Sequence, residues 1–125
     1  MRDRHRILIV EDDDQIATVL RDTLHEEGYD ARHAANGREG LALLAWWTPH
    51  AIILDLMIPV MDGRAFRTAQ RELPRPLAEV PVIVLSGARD GHAQAEELAA
   101  VAFIAKPFEL DDVLNIVARI CQQAS

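Results

Sequence analysis

The sequence predicts an α/β fold in which a five-stranded parallel sheet lies between two layers of helices. Three observations support this prediction. Short unbroken aliphatic runs, which are typical of strands buried on both faces, occur at residues 7–10, 51–54, 82–85 and 103–105. Segments with helical spacing of apolar residues separate these runs. Each run also ends on a polar side chain, and in such sheets ligands bind beyond the carboxyl ends of the strands.

A first helix follows the first aliphatic run. Asp13 or Asp14 can cap its N-terminus, and Gly28 suits its C-terminal end because glycine readily adopts the left-handed backbone conformation. The residues at three- and four-residue spacing along this helix are Ile16, Val19, Leu20, Thr23 and Leu24. Residues 29–34 then form a weak second strand, and their mixed polarity indicates a sheet edge.

Capping residues also begin the second and third helices. Asn36 with Glu39 resembles a capping pair for the second helix, which ends at Thr48 and Pro49. Asp62 and the adjacent glycine open the third helix. The apolar residues carried by these two helices are Leu41, Leu44, Phe66, Ala69 and Leu73.

The last two helices follow an irregular loop that contains Pro74, Pro76 and Pro81. The fourth helix, about residues 91–100, has Leu98 as its only large apolar residue, so we expect it to be the least firmly packed. The fifth helix has the clearest stripe: Leu110, Val113, Leu114, Val117, Ile120 and Cys121. Five strands alternating with five helices give a flavodoxin-like three-layer sandwich of strand order 2-1-3-4-5, because the weakest strand then becomes an edge.

Composition sets the outer limits. The 125 residues suit a single domain, 1–125, with its core at about 6–121. The apolar stretches are far shorter than the ~20 residues that a membrane span needs, and no signal-peptide core follows the basic start, so we expect a cytoplasmic protein. The net charge of −7 argues against direct binding of nucleic acid. The single cysteine excludes an internal disulfide, and the five histidines, Trp46 and Trp47 show no ligand or stacking pattern.

The polar residues that end the strands should converge at one edge of the sheet. Glu11, Asp12 and Asp55 would meet at the switch point, where the first and third strands are neighbours. With several carboxylates so close together, at least one should have a raised pKa unless a cation compensates. Oxygen ligands of this kind suit Mg²⁺. The Ser86 hydroxyl and the Lys106 ammonium at the same edge suit a phosphoryl group.

Four segments carry these strand ends in a recognisable order: ILIVEDD at 7–13, ILDLMIPVMDG at 53–63, VIVLSGA at 82–88 and FIAKPF at 103–108. Together they resemble the receiver domain of two-component response regulators, and the match runs from about residue 6 to 121. Each segment alone is a weak signal, because Asp-Gly and Lys-Pro are common turn dipeptides. All of them in order, at the predicted strand ends, are a specific one.

The resemblance implies a chemistry for the strand ends. Asp55 would be the phosphoacceptor, receiving a phosphoryl group from the phosphohistidine of a sensor histidine kinase or a histidine phosphotransfer protein. Asp12 and Asp55 would ligate Mg²⁺ directly, Glu11 directly or through water, and the backbone carbonyl of Met57 would complete the protein ligands. Lys106 would pair with Asp55 before phosphorylation and with a phosphoryl oxygen afterwards. The domain would be a signalling module that catalyses only its own phosphorylation and dephosphorylation.

The resemblance also implies a switch. The Ser86 hydroxyl would move towards the phosphoryl group and Phe103 would turn inward, so that the face of the fourth helix, fifth strand and fifth helix signals to a downstream protein partner or effector domain. Both residues have a simpler interpretation. Ser86 can bond nearby backbone in a loop, and Phe103 can be a permanently buried core aromatic. Ala99 stands where the family often ends the fourth helix with glycine.

Two other function classes share some of these residues. A phosphatase of the haloacid dehalogenase kind also uses an aspartyl phosphate, Mg²⁺ and a lysine, but it requires a second acid where this chain has Met57. A degenerate receiver would act only as a phosphorylation-independent docking module. The intact Asp12, Asp55, Ser86 and Lys106 argue against that alternative.

Overall fold

The computed structural model describes residues 4–124, which form five strands and five α-helices. The strands are β1 (Arg6–Val10), β2 (Asp30–Ala34), β3 (Ala51–Asp55), β4 (Val82–Ser86) and β5 (Ala102–Ala105). The helices are α1 (Asp14–Glu26), α2 (Gly37–Leu44), α3 (Gly63–Arg71), α4 (Gly91–Glu97) and α5 (Leu110–Ala124), with a short 3₁₀ helix at Leu77–Glu79. The strands are parallel in the order β2-β1-β3-β4-β5, which confirms the predicted fold and the edge position of β2.

The sheet divides the core into two halves. Side chains of α1 and α5 pack against one face, and those of α2, α3 and α4 pack against the other. Strands β3 and β4 are buried along their whole length, as their uninterrupted aliphatic composition predicts. Each fully buried aliphatic side chain stabilises the fold by about 1.5–3 kcal/mol. The ends of the central strands are therefore held on a rigid support.

Helix α1 begins and ends where local sequence rules place it. The Asp13 carboxylate accepts hydrogen bonds from the backbone N–H groups of Gln15 (2.9 Å) and Ile16 (3.1 Å), so Asp13 and not Asp14 is the cap. Gly28 has the left-handed φ of 92° expected after the helix. The predicted stripe was wrong at Val19, which is 46% exposed, because the buried face of the helix is formed by Ala17, Leu20 and Leu24.

Helices α2 and α3 have the predicted caps but shorter bodies. The Asn36 side chain accepts from the Glu39 N–H at 3.0 Å, and Asp62 accepts from the Ala65 N–H at 2.8 Å. Helix α2 ends at Leu44, before the predicted proline stop, and the turn that follows leads to the buried Trp47. The buried face of α3 includes Phe66 as predicted, and also two long polar residues that apolar patterning does not detect.

Helix α4 is three residues shorter than predicted. It ends at Glu97 with Leu98 as its C-cap, and the next residue, Ala99, has a left-handed φ of 56°. This is the conformation that glycine usually supplies at a helix end, here adopted by a residue with a Cβ atom. None of the helices within residues 4–124 is long and apolar enough to cross a membrane.

Candidate functional site

Polar side chains from the ends of three strands line a cleft of about 460 Å³ at one edge of the sheet. The loop after β1 and the end of β3 supply the carboxylates, and the loop after β5 supplies the ammonium group. The residues that line the cleft are Glu11, Asp12, Asp13, Asp55, Met57, Gly87, Ala88 and Lys106. The predicted convergence at the carboxyl edge is thus what the structure shows, except that Ser86 lies behind the cleft wall and not on it.

Lys106, the only lysine in the chain, bridges two carboxylates. Its Nζ lies 2.9 Å from Asp55 Oδ2, in a hydrogen bond, and 2.9 Å from Glu11 Oε2. Burial lowers the pKa of Lys106, but the hydrogen bond to Asp55 and the negative charges of Asp55 and Glu11 outweigh burial, so the net shift is upward. The ammonium group therefore stays charged over the whole physiological pH range.

Glu11 is 1% exposed, the most deeply buried carboxylate of the site. Its Oε1 accepts from the Asp13 N–H at 3.1 Å, whereas Oε2 touches Lys106 without hydrogen-bond geometry and is otherwise unsatisfied. Desolvation raises the pKa of Glu11 to about 7, against the lowering effect of Lys106, and the neighbouring Asp55 adds to the rise. One carboxylate of the group thus has a raised pKa, as predicted, but the main cause is burial, and the closeness of another carboxylate adds less.

Asp55 is held in place by its own loop and by α3. The residue is 3% exposed, and its Oδ1 accepts from the Met57 N–H at 3.0 Å. Gly63, the first residue of α3, packs directly beneath it: a Cβ atom there would lie 2.6 Å from the Asp55 carbonyl oxygen and 2.7 Å from Leu56 Cα. The absence of a side chain at Gly63 lets the helix come this close to the end of β3.

The carboxylates of Glu11, Asp12 and Asp55 each offer an oxygen within 4.8 Å of the others. Asp12 is exposed and the other two are buried, so the group opens to solvent on one side only. Hard oxygen donors are the ligands that Mg²⁺ prefers, and the buried Glu11 Oε2 accepts no hydrogen bond although it forms an ion pair with Lys106. The residues present fit a divalent cation.

Ser86 and Phe103 lie on the side of the site that faces α4. The Ser86 Oγ is buried and accepts from the Ala88 N–H at 3.1 Å, which is the local loop bond of the simpler interpretation. Phe103 is partly buried, and its ring approaches Gly91 so closely that a Cβ atom there would lie 2.8 Å from Cε1. The ring also meets the His92 ring edge to face, with centroids 5.7 Å apart. Phe103 is therefore not fully buried in this state.

Comparison with known proteins identifies the family. Residues 7–118 match the family model described as the response regulator receiver domain. The chain belongs to this family. The receiver is 31% identical to sporulation initiation phosphotransferase F of Bacillus subtilis over 91% of both chains. It is 33% identical to the regulatory protein AtoC of Escherichia coli, but it spans only 26% of that protein. A crystal structure of a putative response regulator from Chloroflexus aurantiacus superposes with a TM-score of 0.86 at 33% identity, covering 94% of this chain and 98% of that one.

The sequence did not predict some of the side-chain contacts in this receiver. His33 Nε2 donates to the backbone oxygen of Glu11 at 2.6 Å, which adds β2 to the support of the site. Arg32 stacks over Trp46 and Trp47, with its Cζ 5.2 and 4.8 Å from the ring centroids. The prediction that histidines and tryptophans form no stacking pattern was therefore wrong. The residues of each contact lie on different elements. Only the strand register, which sets His33 opposite Ile9, could have indicated the contact between His33 and Glu11.

Proposed function

We propose that this receiver takes a phosphoryl group onto Asp55 from the phosphohistidine of a sensor histidine kinase or a histidine phosphotransfer protein. The supporting observation is the position of Asp55, whose buried carboxylate has Lys106 at 2.9 Å and two further carboxylates beside it. An Asp55 oxygen would form the new bond to phosphorus while the bond from phosphorus to the histidine nitrogen breaks and its electron pair returns to the imidazole. The product is an acyl phosphate.

The charged and polar side chains around Asp55 would act by positioning and by charge neutralisation. Two unit charges about 4 Å apart interact by roughly 4 kcal/mol at an effective dielectric constant near 20, before desolvation is subtracted. Lys106 already pairs with Asp55, so its benefit comes from the charge that the phosphoryl group adds. Ser86 would exchange its bond with the Ala88 N–H for a phosphoryl oxygen, at a cost of about 1 kcal/mol for the bond given up.

The same cleft would hold Mg²⁺. Its protein ligands would be the carboxylates of Glu11, Asp12 and Asp55 and the backbone carbonyl of Met57, and the bound ion would neutralise charge on the phosphoryl oxygens. The side chains of Met57 and Ala88 line the cleft without a polar group that could orient an attacking water molecule. Hydrolysis of the acyl phosphate would therefore depend on water positioned by other groups.

The readout would be the face formed by α4, β5 and α5, which includes Phe103. We propose that residues 1–125 form one receiver domain in the cytoplasm and that its output goes to a downstream protein partner or effector domain, without direct contact with nucleic acid. The chain covers 26% of AtoC, which supports an attached effector, and 91% of sporulation initiation phosphotransferase F, which supports a separate one.

The test is phosphorylation by acetyl phosphate with Mg²⁺, followed by intact-mass measurement. The parent protein should gain one base-labile phosphoryl group, and Asp55→Asn and the parent in EDTA should gain none. Asp62→Asn is the matched control, because Asp62 is an exposed helix cap and its replacement keeps the capping oxygen. An adduct on Asp55→Asn would mean that another residue is the acceptor. A parent protein that gains no adduct would favour the degenerate docking module.

A further inference from the structure

The C-terminal end of α4 is held by a buried arginine of α3. Arg67 is 7% exposed, and its guanidinium donates from Nε to the Leu98 oxygen (2.9 Å) and from Nη2 to the Ala99 oxygen (3.1 Å). Its Nη1 donates to Gln70 Oε1 at 2.8 Å. No carboxylate within residues 4–124 forms an ion pair with this group. The partners of the buried charge are therefore carbonyl and amide oxygens.

This arrangement suits the end of a helix. The last carbonyl groups of a helix lack intrahelical donors and carry the negative end of its dipole, so a cation is favourable there. The planar guanidinium can bond two carbonyls at once, which a lysine ammonium on its flexible stem does less well. Gln70 is fully buried and fixes the arrangement further, because its Nε2 donates to the oxygens of Leu77 (2.9 Å) and Val80 (3.1 Å). Arg67 thus ties α4 to α3 and to the loop before β4.

The N-terminal end of α4 has no comparable attachment. Asp90, the N-cap residue, makes no side-chain hydrogen bond to the first-turn N–H groups, and its Oδ1 accepts from the Gln94 side chain at 2.7 Å. The buried residues of the helix itself are only Gly91 and Ala95, and Gly91 packs against Phe103 and Ser86. Within residues 4–124, the end of α4 nearest the cleft is therefore held by packing against Phe103 and Ser86, without side-chain hydrogen bonds like those of Arg67 at the other end.

We propose that Arg67 is a positioning residue that makes the C-terminal end of α4 a fixed pivot. A displacement that starts at Ser86 then rotates the N-terminal turn of α4 over Phe103 and leaves residues 97–100 in place. The pivoting motion rests on the proposed phosphorylation of Asp55. The attachment of the helix end by Arg67 does not, so the two parts are tested separately.

The first experiment measures amide hydrogen exchange by NMR in the unphosphorylated full chain. In Arg67→Met, which keeps the apolar stem, the amides of residues 98–100 should exchange at least about tenfold faster than in the parent, because charged hydrogen bonds that close the helix end are lost. Arg67→Lys should restore part of the protection. Arg64→Met is the matched control, since Arg64 also contacts this end of α4 through an exposed ion pair with Glu97 at 3.1 Å. It should change exchange little.

Amides of β1 and β3 in the same spectra report global unfolding. If residues 98–100 accelerate in Arg67→Met no more than these strand amides, or if Arg64→Met has the same effect, Arg67 is not a specific attachment and the inference is wrong.

The second experiment compares amide shifts before and after phosphorylation with acetyl phosphate and Mg²⁺. The parent should show its changes at residues 87–93 and little change at 97–100, whereas in Arg67→Met the changes should extend to 97–100. Equal changes at both ends of α4 in the parent would overturn the pivot. A chain that accepts no phosphoryl group would refute the proposed function, while the exchange experiment would still decide the role of Arg67.

Discussion

Replacing Glu11 by glutamine should make the metal-free protein more stable at alkaline pH. The substitution keeps the shape of the side chain and the Oε1 acceptor for the Asp13 N–H, but it removes a negative charge from a position that is 1% exposed. Lys106 retains its hydrogen bond to Asp55. The principal change is therefore that no carboxylate has to ionise in a buried place.

The magnitude follows from the pKa of Glu11, which burial raises from 4.5 to about 7. The folded protein binds this proton more tightly than the unfolded chain does. The resulting contribution to stability is thus fully present below pH 4.5 and is lost as the pH rises through about 7. At about 1.4 kcal/mol for each pH unit, the loss is about 3 kcal/mol. Glutamine cannot ionise, so Glu11→Gln should not show it.

The assay is urea unfolding in EDTA at a series of pH values between 4.5 and 8.5. The parent and Glu11→Gln should have similar free energies of unfolding at the acidic end, and the variant should be about 3 kcal/mol more stable at the alkaline end. Glu72→Gln, at the exposed end of α3, is the matched control and should follow the parent. Added Mg²⁺ should stabilise the parent more than Glu11→Gln, since the variant lacks a proposed ligand.

Parallel curves for the parent and Glu11→Gln across this pH range would refute the reasoning. They would mean that the buried carboxylate ionises as readily in the folded protein as in the unfolded chain.

Three further changes test other features. Ala99→Gly should raise the free energy of unfolding by about 0.5–1 kcal/mol, because relief of the left-handed strain exceeds the added chain entropy; lower stability in urea unfolding would contradict this. Gly63→Ala should destabilise the fold by about 1–3 kcal/mol and slow phosphorylation by acetyl phosphate, because the added Cβ would lie 2.6 Å from the Asp55 carbonyl oxygen. An unchanged free energy of unfolding would show that α3 can move away from β3. Burial, together with the charges of Arg6 and His5, lowers the pKa of His50, whose Nδ1 accepts a hydrogen bond from the Arg6 N–H. Neutral His50 therefore stabilises the fold above pH 6.5, and this contribution is lost below that pH. The test compares Glu11→Gln with the double variant Glu11→Gln/His50→Asn. The loss of unfolding free energy below pH 6.5 should occur only in the first, and its persistence in the double variant would exclude His50 as the cause.

Most of the fold was predictable because its signals are local or strictly periodic. The aliphatic runs predict the central strands, and a carboxylate three residues before an N–H group predicts the caps at Asp13 and Asp62. The cluster of Glu11, Asp12 and Asp55 was also predictable, because parallel strands bring their carboxyl ends to one edge.

What the sequence could not predict depends on contacts between distant elements. Burial of Arg67 requires the carbonyl groups of a helix end 31 residues away, and no pattern within α3 indicates that they are there. The same holds for His33, whose partner is a backbone oxygen 22 residues earlier. Helix α4 ends early for a local reason, because Ala99 adopts a glycine-like conformation; the family resemblance marks this position, but an alanine does not by itself predict that conformation. The spacing of apolar residues does not indicate which polar residues become buried through tertiary contacts.

The single lysine has a practical consequence for observing this receiver. Because Lys106 is the only lysine and its ammonium touches both Asp55 and Glu11, a lysine-selective ¹⁵N label places one side-chain signal at the centre of the cleft. That signal needs no assignment and stays visible in a mixture with unlabelled kinase, phosphotransfer protein or effector. The ¹⁵N signal of the Lys106 side chain can therefore report changes of charge in the cleft as they occur.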